Sequence, residues 1–260
     1  MKRNSELKAN DDVFKIIILL GLLFSSSVFG ETANTLSPNT DFLLGLSVGS
    51  NWVSGNETQT INLEPDIIKT YTANQSNNVI PSFEFFLGVQ RLMTTQLMPS
   101  TFIGQLGLSV VEAGNANLTG DIWEDADPTF DNFNYKYKIN HVHVGVEGRL
   151  VGDFGYFVDP YISGNIGIGF NRAYGFTITP KISAEVPAPA FTANTTATFS
   201  YSLGIGVQKT FCKNLQVAIG YEFSDWGRSG LSPANGQTTN ETPTLNHLYT
   251  QALQVSLFYV

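Results

Sequence analysis

Apolar and polar residues alternate with a period of two through most of the chain. Phe199, Tyr201, Leu203, Ile205 and Val207 interleave with Ser200, Ser202, Gly204, Gly206 and Gln208. Leu215, Val217, Ile219, Tyr221 and Phe223 interleave with Gln216, Ala218, Gly220, Glu222 and Ser224. The same pattern sets Leu253, Val255, Leu257 and Tyr259 against Gln254 and Ser256, and Phe83, Phe85, Leu87 and Val89 against Ser82, Glu84, Gly88 and Gln90. Strict alternation marks strands with one apolar and one polar face. Eight segments follow it, at about 41–54, 79–93, 99–113, 135–151, 157–172, 197–211, 215–227 and 245–260. Each exceeds the roughly 9–11 residues that a tilted strand needs to cross a bilayer. Connectors 94–98, 152–156 and 212–214 are short; 55–78, 114–134, 173–196 and 228–244 are long and rich in Asn, Thr, Gly and Pro. The pattern predicts an all-β chain: an eight-stranded antiparallel up-and-down transmembrane β-barrel with tight periplasmic turns and long external loops. Closure is required, because an open sheet edge in hydrocarbon leaves backbone groups unpaired.

The large residues occupy one parity and small ones the other. Ten of the 24 glycines (45, 49, 88, 107, 145, 167, 169, 204, 206 and 220) fall on the polar parity. Eight strands enclose a space barely wide enough for side chains, so the small-residue parity is expected to face inward and the apolar parity outward to lipid. Aromatics of the outward parity form two predicted girdles. One holds Trp52, Phe83, Phe85, Phe170, Phe199, Tyr201, Tyr221, Phe223 and Tyr249 near the loops; the other holds Phe42, Phe102, Tyr156, Phe211 and Tyr259 near the turns.

Composition fits a membrane chain better than a soluble one. Only 14% of the 260 residues are charged, against about 25% in an ordinary soluble domain. The net charge of −8 argues against nucleic-acid binding, which needs a basic face. A single cysteine, Cys212, excludes an intramolecular disulfide framework. At the N-terminus, Lys2, Arg3, Lys8 and Lys15 flank the apolar block 16–24, and small residues follow through Gly30. This is the export pattern: a signal peptide over 1–30 cut before Glu31, a periplasmic segment over 31–40 and a barrel over 41–260.

With those segments in hand, the chain resembles the small eight-stranded outer-membrane barrels of Gram-negative bacteria, the OmpA-like and opacity-type surface antigens. The resemblance covers essentially all of 31–260. It is carried by Gly220-Tyr-Glu-Phe-Ser-Asp-Trp-Gly227 and by the terminal Leu253-Gln-Val-Ser-Leu-Phe-Tyr-Val260. Members usually end on an aromatic residue; here Tyr259 carries the outward parity and Val260 follows it. The family hosts adhesins, narrow channels and structural proteins, so the resemblance implies fold and outer-membrane location but no single role.

Candidate chemistry lies in the lumen. Glu84, Glu147, Arg149 and Glu222 have inward parity, and a buried charge is costly unless paired. Arg149 is therefore expected to pair with an acid across the lumen, with Gln90, Gln105, Asn165 and Gln254 filling polar gaps. His141 and His143 share an inward face, but no third ligand is evident, so they are weak metal candidates and no cofactor is expected. Nor does a Ser/His/acid set converge in this register, so the chain reads as non-enzymatic. Asp121, Glu124, Asp125, Asp127 and Asp131 read as a solvated acidic loop with no EF-hand spacing. Lys136 and Lys138 have outward parity above the apolar run Val142, Val144, Val146 and Leu150. That height suits lipopolysaccharide phosphates.

The expected protein is a monomer in contact with outer-membrane lipid and lipopolysaccharide. It presents four large loops as a surface antigen, an adhesin for a host or environmental ligand, or a membrane-integrity protein. A narrow porin-like channel is the competing role.

Overall fold

The structure, a computed structural model, describes residues 40–54, 57–74, 79–94, 101–183, 185–188 and 190–260. The export segment, its cut site, residues 31–39 and most of the first short turn lie outside them. Among the described residues twelve strands are formed: β1 (Thr40–Ser54), β2 (Gln59–Glu64), β3 (Ile67–Asn74), β4 (Val79–Thr94), β5 (Thr101–Glu124), β6 (Asp131–Asp153), β7 (Asp159–Pro180), β8 (Asn194–Cys212), β9 (Leu215–Asp225), β10 (Ser229–Gly230), β11 (Thr244–Leu245) and β12 (Tyr249–Tyr259). Eight of them make the ring β1-β4-β5-β6-β7-β8-β9-β12, closed by pairing of β12 with β1.

The parity argument sets the register. Leu46 stands opposite Leu257 and Val48 opposite Val255, all four with exposed side chains. The exterior carries an apolar band that includes Leu106, Ile162, Ile166, Leu203, Ile205 and Ile219, each 55–61% exposed. A contiguous apolar surface of this kind has no place in water. The aromatic belts lie on the outward parity: Trp52, Phe83, Phe199 and Tyr221 are exposed toward the loop end, and Phe42, Phe211 and Tyr259 toward the turn end.

The long connectors differ from expectation. Residues 55–78 contain the β2–β3 hairpin, and 114–134 are mostly continuations of β5 and β6. β5 pairs with β4 along Thr101–Ala113, then with β3 along Thr119–Glu124. The last barrel strand starts at Tyr249 rather than 245, and Leu245 belongs to the short β11. The physical reason is that alternation continues beyond the membrane with polar residues outside and large residues inside. Ile61, Leu63, Tyr71, Leu118, Ile122, Phe133, Tyr135, Tyr137, Ile139, Phe176 and Phe191 are buried together. Ring centroids of Phe176 and Phe191 are 5.0 Å apart, and Tyr71 meets Tyr135 edge-on at 5.6 Å. Each large side chain so buried contributes about 1.5–3 kcal/mol, so this external mound has a core of its own. Its open edge at β2 is covered by the segment 239–246. Gln59 Nε2 donates to the Thr244 carbonyl, Thr244 N–H donates to Gln59 Oε1 at 2.9 Å, and Asn62 N–H donates to Glu241 Oε2 at 2.6 Å.

Candidate functional site

One strand shows how the interior is layered. The inward residues of β6, read from outside, are Phe133, Tyr135, Tyr137, Ile139, His141, His143, Gly145, Glu147, Arg149 and Val151. They run from mound core through a histidine layer to a charged layer and an apolar base. The outward residues change in step, from Asn134, Lys136 and Lys138 to Val142, Val144, Val146 and Leu150.

The base is an apolar plug. Leu43, Phe86, Val151, Tyr161, Ala218 and Phe258 are buried together, and Phe86 meets Phe258 edge-on at 6.1 Å. Glycine pairs make room for it. A Cβ on Gly88 would stand 2.7 Å from the Cα of Gly107 opposite and 2.7 Å from Phe86 Cζ. Gly206 faces Gly220 in the same way, and a Cβ on either would strike the Tyr161 hydroxyl. The lumen therefore holds large aromatics as well as small residues, and Phe86, Tyr161 and Phe258 are the inward residues that the small-polar parity rule passed over.

Above the plug lies the polar network. Glu84, Gln105, Glu147 and Arg149 are buried, and Glu222 is partly accessible beside them. Arg149 Nη2 donates to Glu147 Oε1 at 3.4 Å. The ion pair is formed, but within one strand: residues i and i+2 share a face, so Glu147 reaches Arg149 more directly than any acid across the lumen. The guanidinium also lies 4.3 Å from the Tyr161 ring centroid and 4.5 Å from that of Phe258, a cation–π arrangement favoured in a dry site. Gln254 Nε2 donates to Glu84 Oε2 at 2.6 Å, and Ser224 Oγ donates to Glu222 Oε1 at 3.1 Å. Gln105 donates to Gln90 and Gln216, Gln216 donates to Gln90, and Gln208 donates to Gln216. Gln208 and Gln216 complete an amide cluster of which sequence parity singled out only Gln90 and Gln105.

The ceiling is the histidine layer. Asn171 Nδ2 donates to the carbonyls of Trp226 and Arg228 at 2.7 and 2.8 Å, so its Oδ1 accepts from His141 Nδ1 at 2.6 Å. Asn165 Nδ2 donates to Ser109 Oγ, and its Oδ1 accepts from His143 Nε2 at 2.9 Å. Each ring is thus used as a hydrogen-bond donor. Among the described residues no three His, Cys, Asp or Glu side chains are grouped to hold a metal ion.

The acidic stretch of β5 and β6 is ion-paired, not merely solvated. Lys181 binds Asp121 at 2.7 Å and Asp131 at 2.5 Å, and Lys69 binds Glu124 at 3.0 Å. The basic partners come from outside 114–134, Lys69 from β3 and Lys181 from just past the end of β7. Burial alone would raise the Glu124 pKa, but hydrogen bonds from Asn132 and Lys69 and the Lys69 charge outweigh it and lower the pKa below its ordinary value. Partial burial would lower the Lys181 pKa, and its two aspartates raise it instead. Within the mound core, burial, and secondarily Asp121, hold the Tyr135 phenol well above its ordinary range, as burial and Tyr135 do for Tyr71 and Tyr137.

Lys136 and Lys138 are exposed and outward, with no ionic partner among the described residues. On β7, Tyr174 stands opposite Lys138 and Arg172 opposite Asn140, with the Arg172 guanidinium 5.2 Å from the Tyr174 ring. Cys212 is exposed beside the last turn. His247 Nδ1 meets Asp225 Oδ2 at 2.8 Å and ties the end of β9 to the segment just before β12.

No protein-family model matches the chain, and no curated protein matches it in sequence. Among solved structures it is similar to Neisserial surface protein A (9% identity, TM-score 0.41, covering 85% of this chain and 97% of that one). It is similar to the outer membrane protease OmpT from Escherichia coli (10%, 0.41, 87% and 99%) and to outer membrane protein AlkL in lipid bilayers (8%, 0.43, 88% and 94%). Ring closure, inward and outward parity and the apolar exterior make this chain, by its own geometry, a closed eight-stranded antiparallel β-barrel with a lipid-suited outer face.

Proposed function

We propose that the protein is a closed, non-conducting and non-enzymatic outer-membrane barrel that displays a folded external mound, acting in surface attachment or membrane integrity. The observation that carries this reading is closure at both ends of the lumen. Phe86, Tyr161 and Phe258 pack the base, and Trp226 with the mound core packs the top. The polar network between them, Glu84, Gln105, Glu147, Arg149 and Glu222, is then a static polar filling, held by the Arg149–Glu147 pair and by hydrogen bonds to Gln90, Gln216, Ser224 and Gln254. A water path past Glu147 and Arg149 would have favoured the channel reading; side-chain closure favours display. The His247–Asp225 contact, the sole His–carboxylate contact among the described residues, acts as a tie between strand ends.

The membrane partner is lipopolysaccharide, met by Lys136, Lys138 and Arg172 above the apolar band, and the barrel works as a monomer. The test of closure is single-channel recording of the refolded full-length barrel in a planar bilayer, with a heat-modifiability gel to confirm folding. Absence of steps in folded protein is the expected result. Regular conductance steps would replace this reading by the narrow channel.

A further inference from the structure

The outermost end of the mound combines exposed apolar side chains with excess negative charge. Ile67 and Ile68 in the β2–β3 hairpin are 41% and 38% exposed, Phe130 is 49%, and Ile182 and Val186 beyond β7 are 50% and 85%. Three sets of contacts bring these segments to one end. Lys69, next to Ile68, pairs in register with Glu124 and binds its carboxylate. Asn132 donates to Glu124 and Glu185, and the Lys181 N–H donates to the Asn132 carbonyl. The turn that carries Phe130 is held by the Asp127 carboxylate, which accepts from Thr129 N–H at 2.9 Å, and begins with two left-handed residues, Asp125 (φ 51°) and Ala126 (φ 56°). The end is thus preordered, which lowers the ordering cost of binding.

The charge at this end is one-sided. Both nearby lysines, Lys69 and Lys181, are committed to carboxylates. Glu64, Asp66 and Asp125 are exposed beside the apolar residues with no ionic partner among the described residues. A surface of this kind repels anionic polysaccharide, anionic lipid and a second copy of itself, and it attracts cations over distance. The exposed isoleucines, valine and phenylalanine reward burial by an apolar counterpart.

We propose that this end of the mound is a docking surface for a cationic polypeptide that carries apolar side chains among its lysines or arginines. The proposal rests on the display reading above and names the chemistry of its partner. Charge sets the rate of encounter, and Phe130 and Val186 supply the contact that holds.

The test uses the full-length barrel in zwitterionic detergent and three synthetic peptides of equal length: an amphipathic Lys/Leu peptide, a Glu/Leu peptide with the same apolar pattern, and a Lys/Ser peptide with the same charge. The Lys/Leu peptide is expected to bind, more weakly at high salt. Phe130→Ser with Val186→Ser should cut its affinity about tenfold; Asp66→Asn with Asp125→Asn should slow association and flatten the salt dependence. All four side chains are exposed, and unchanged gel mobility of the unheated variants confirms folding. Equal affinity of wild type and the Phe130/Val186 variant overturns the proposal. Equal binding of the Glu/Leu or Lys/Ser peptide, or self-association through this end, overturns it as well. A non-conducting barrel that fails this test loses the proposal alone, whereas a conducting barrel loses the closed-barrel reading whatever the peptides do.

Discussion

Trp226 lies flat against His141, with ring planes 2° from parallel and centroids 4.3 Å apart. The pair is the boundary between the mound core and the polar lumen. Trp226 comes from the segment after β9 and belongs to the mound cluster; His141 is the first polar inward residue of β6. Trp226→Ala removes a buried ring from that boundary and should cost about 3–5 kcal/mol, read as a lowered urea midpoint for refolded barrel. A midpoint equal to wild type would show that the stack does not close the lumen.

Arg149 and Glu147 give a second expectation. Arg149→Met leaves Glu147 without its cation in a closed space, a loss of about 3–5 kcal/mol. Glu147→Gln added to Arg149→Met removes the orphaned charge and should restore most of the stability. If the double variant is no more stable than the single one, the pair is not coupled as its geometry implies.

The lipid-facing parity is tested at Leu203 and Ile219, 60% and 55% exposed. Leu203→Arg or Ile219→Arg near mid-membrane should cost about 2–4 kcal/mol. Spin labels at the same positions should report lipid, and a water signal would overturn the register.

The mound should have its own pH window. Glu124 is depressed below its ordinary 4.5, so the stability it contributes is present above that value and is lost as pH falls through the folded pKa. Lys181 is raised above its ordinary 10.5, so its contribution is present below that value and is lost as pH climbs through the folded pKa. The buried phenols Tyr71, Tyr135 and Tyr137, raised above 10.0, act in the same direction. Amide-exchange protection relative to the unfolded chain in β2, β3 and the outer halves of β5 and β6 should therefore hold between 4.5 and 10.0 on the pH scale and fall on either side. Phenolate absorbance rising at the ordinary tyrosine pH for all ten tyrosines would contradict the burial of these three.

Lys136, Lys138 and Arg172 should retain lipopolysaccharide. Changing all three to Gln is expected to reduce the amount that copurifies at low salt while leaving gel mobility unchanged. Equal amounts on wild type and variant would refute the phosphate contact.

The barrel was legible in the sequence because lipid forces one parity of every strand to be apolar. That constraint ends at the headgroups, so the outer halves of β5 and β6 look like loop on their solvent face, where Asn117, Thr119, Lys136 and Lys138 stand. The signal that survived was inward: Tyr135, Tyr137 and Ile139 keep the parity of His141 and His143 and announce a core above the membrane. Adjacent apolar residues hid the basal plug. Phe85–Phe86 and Phe258–Tyr259 each place one ring outward and one inward, and a rule that assigns large residues to lipid assigns both alike. The partner of Arg149 was recognisable as a carboxylate, but inward parity alone does not choose between three acids. The choice depends on reach along β6, where Glu147 is two residues away.

β5 runs without a break for 24 residues from the basal turn to the mound end, about 80 Å of chain at roughly 3.4 Å per residue. Along that course it pairs with β6 throughout, apart from two register shifts, and with β4 and then β3 on its other side. A tug applied to the mound end is therefore borne lengthwise by ladders of backbone hydrogen bonds that share the load and must slip together. A loop-borne contact would pass the same tug to a single flexible strand end, where bonds break in succession. As an anchorage under flow, this architecture behaves as a rod set in the bilayer rather than a tether.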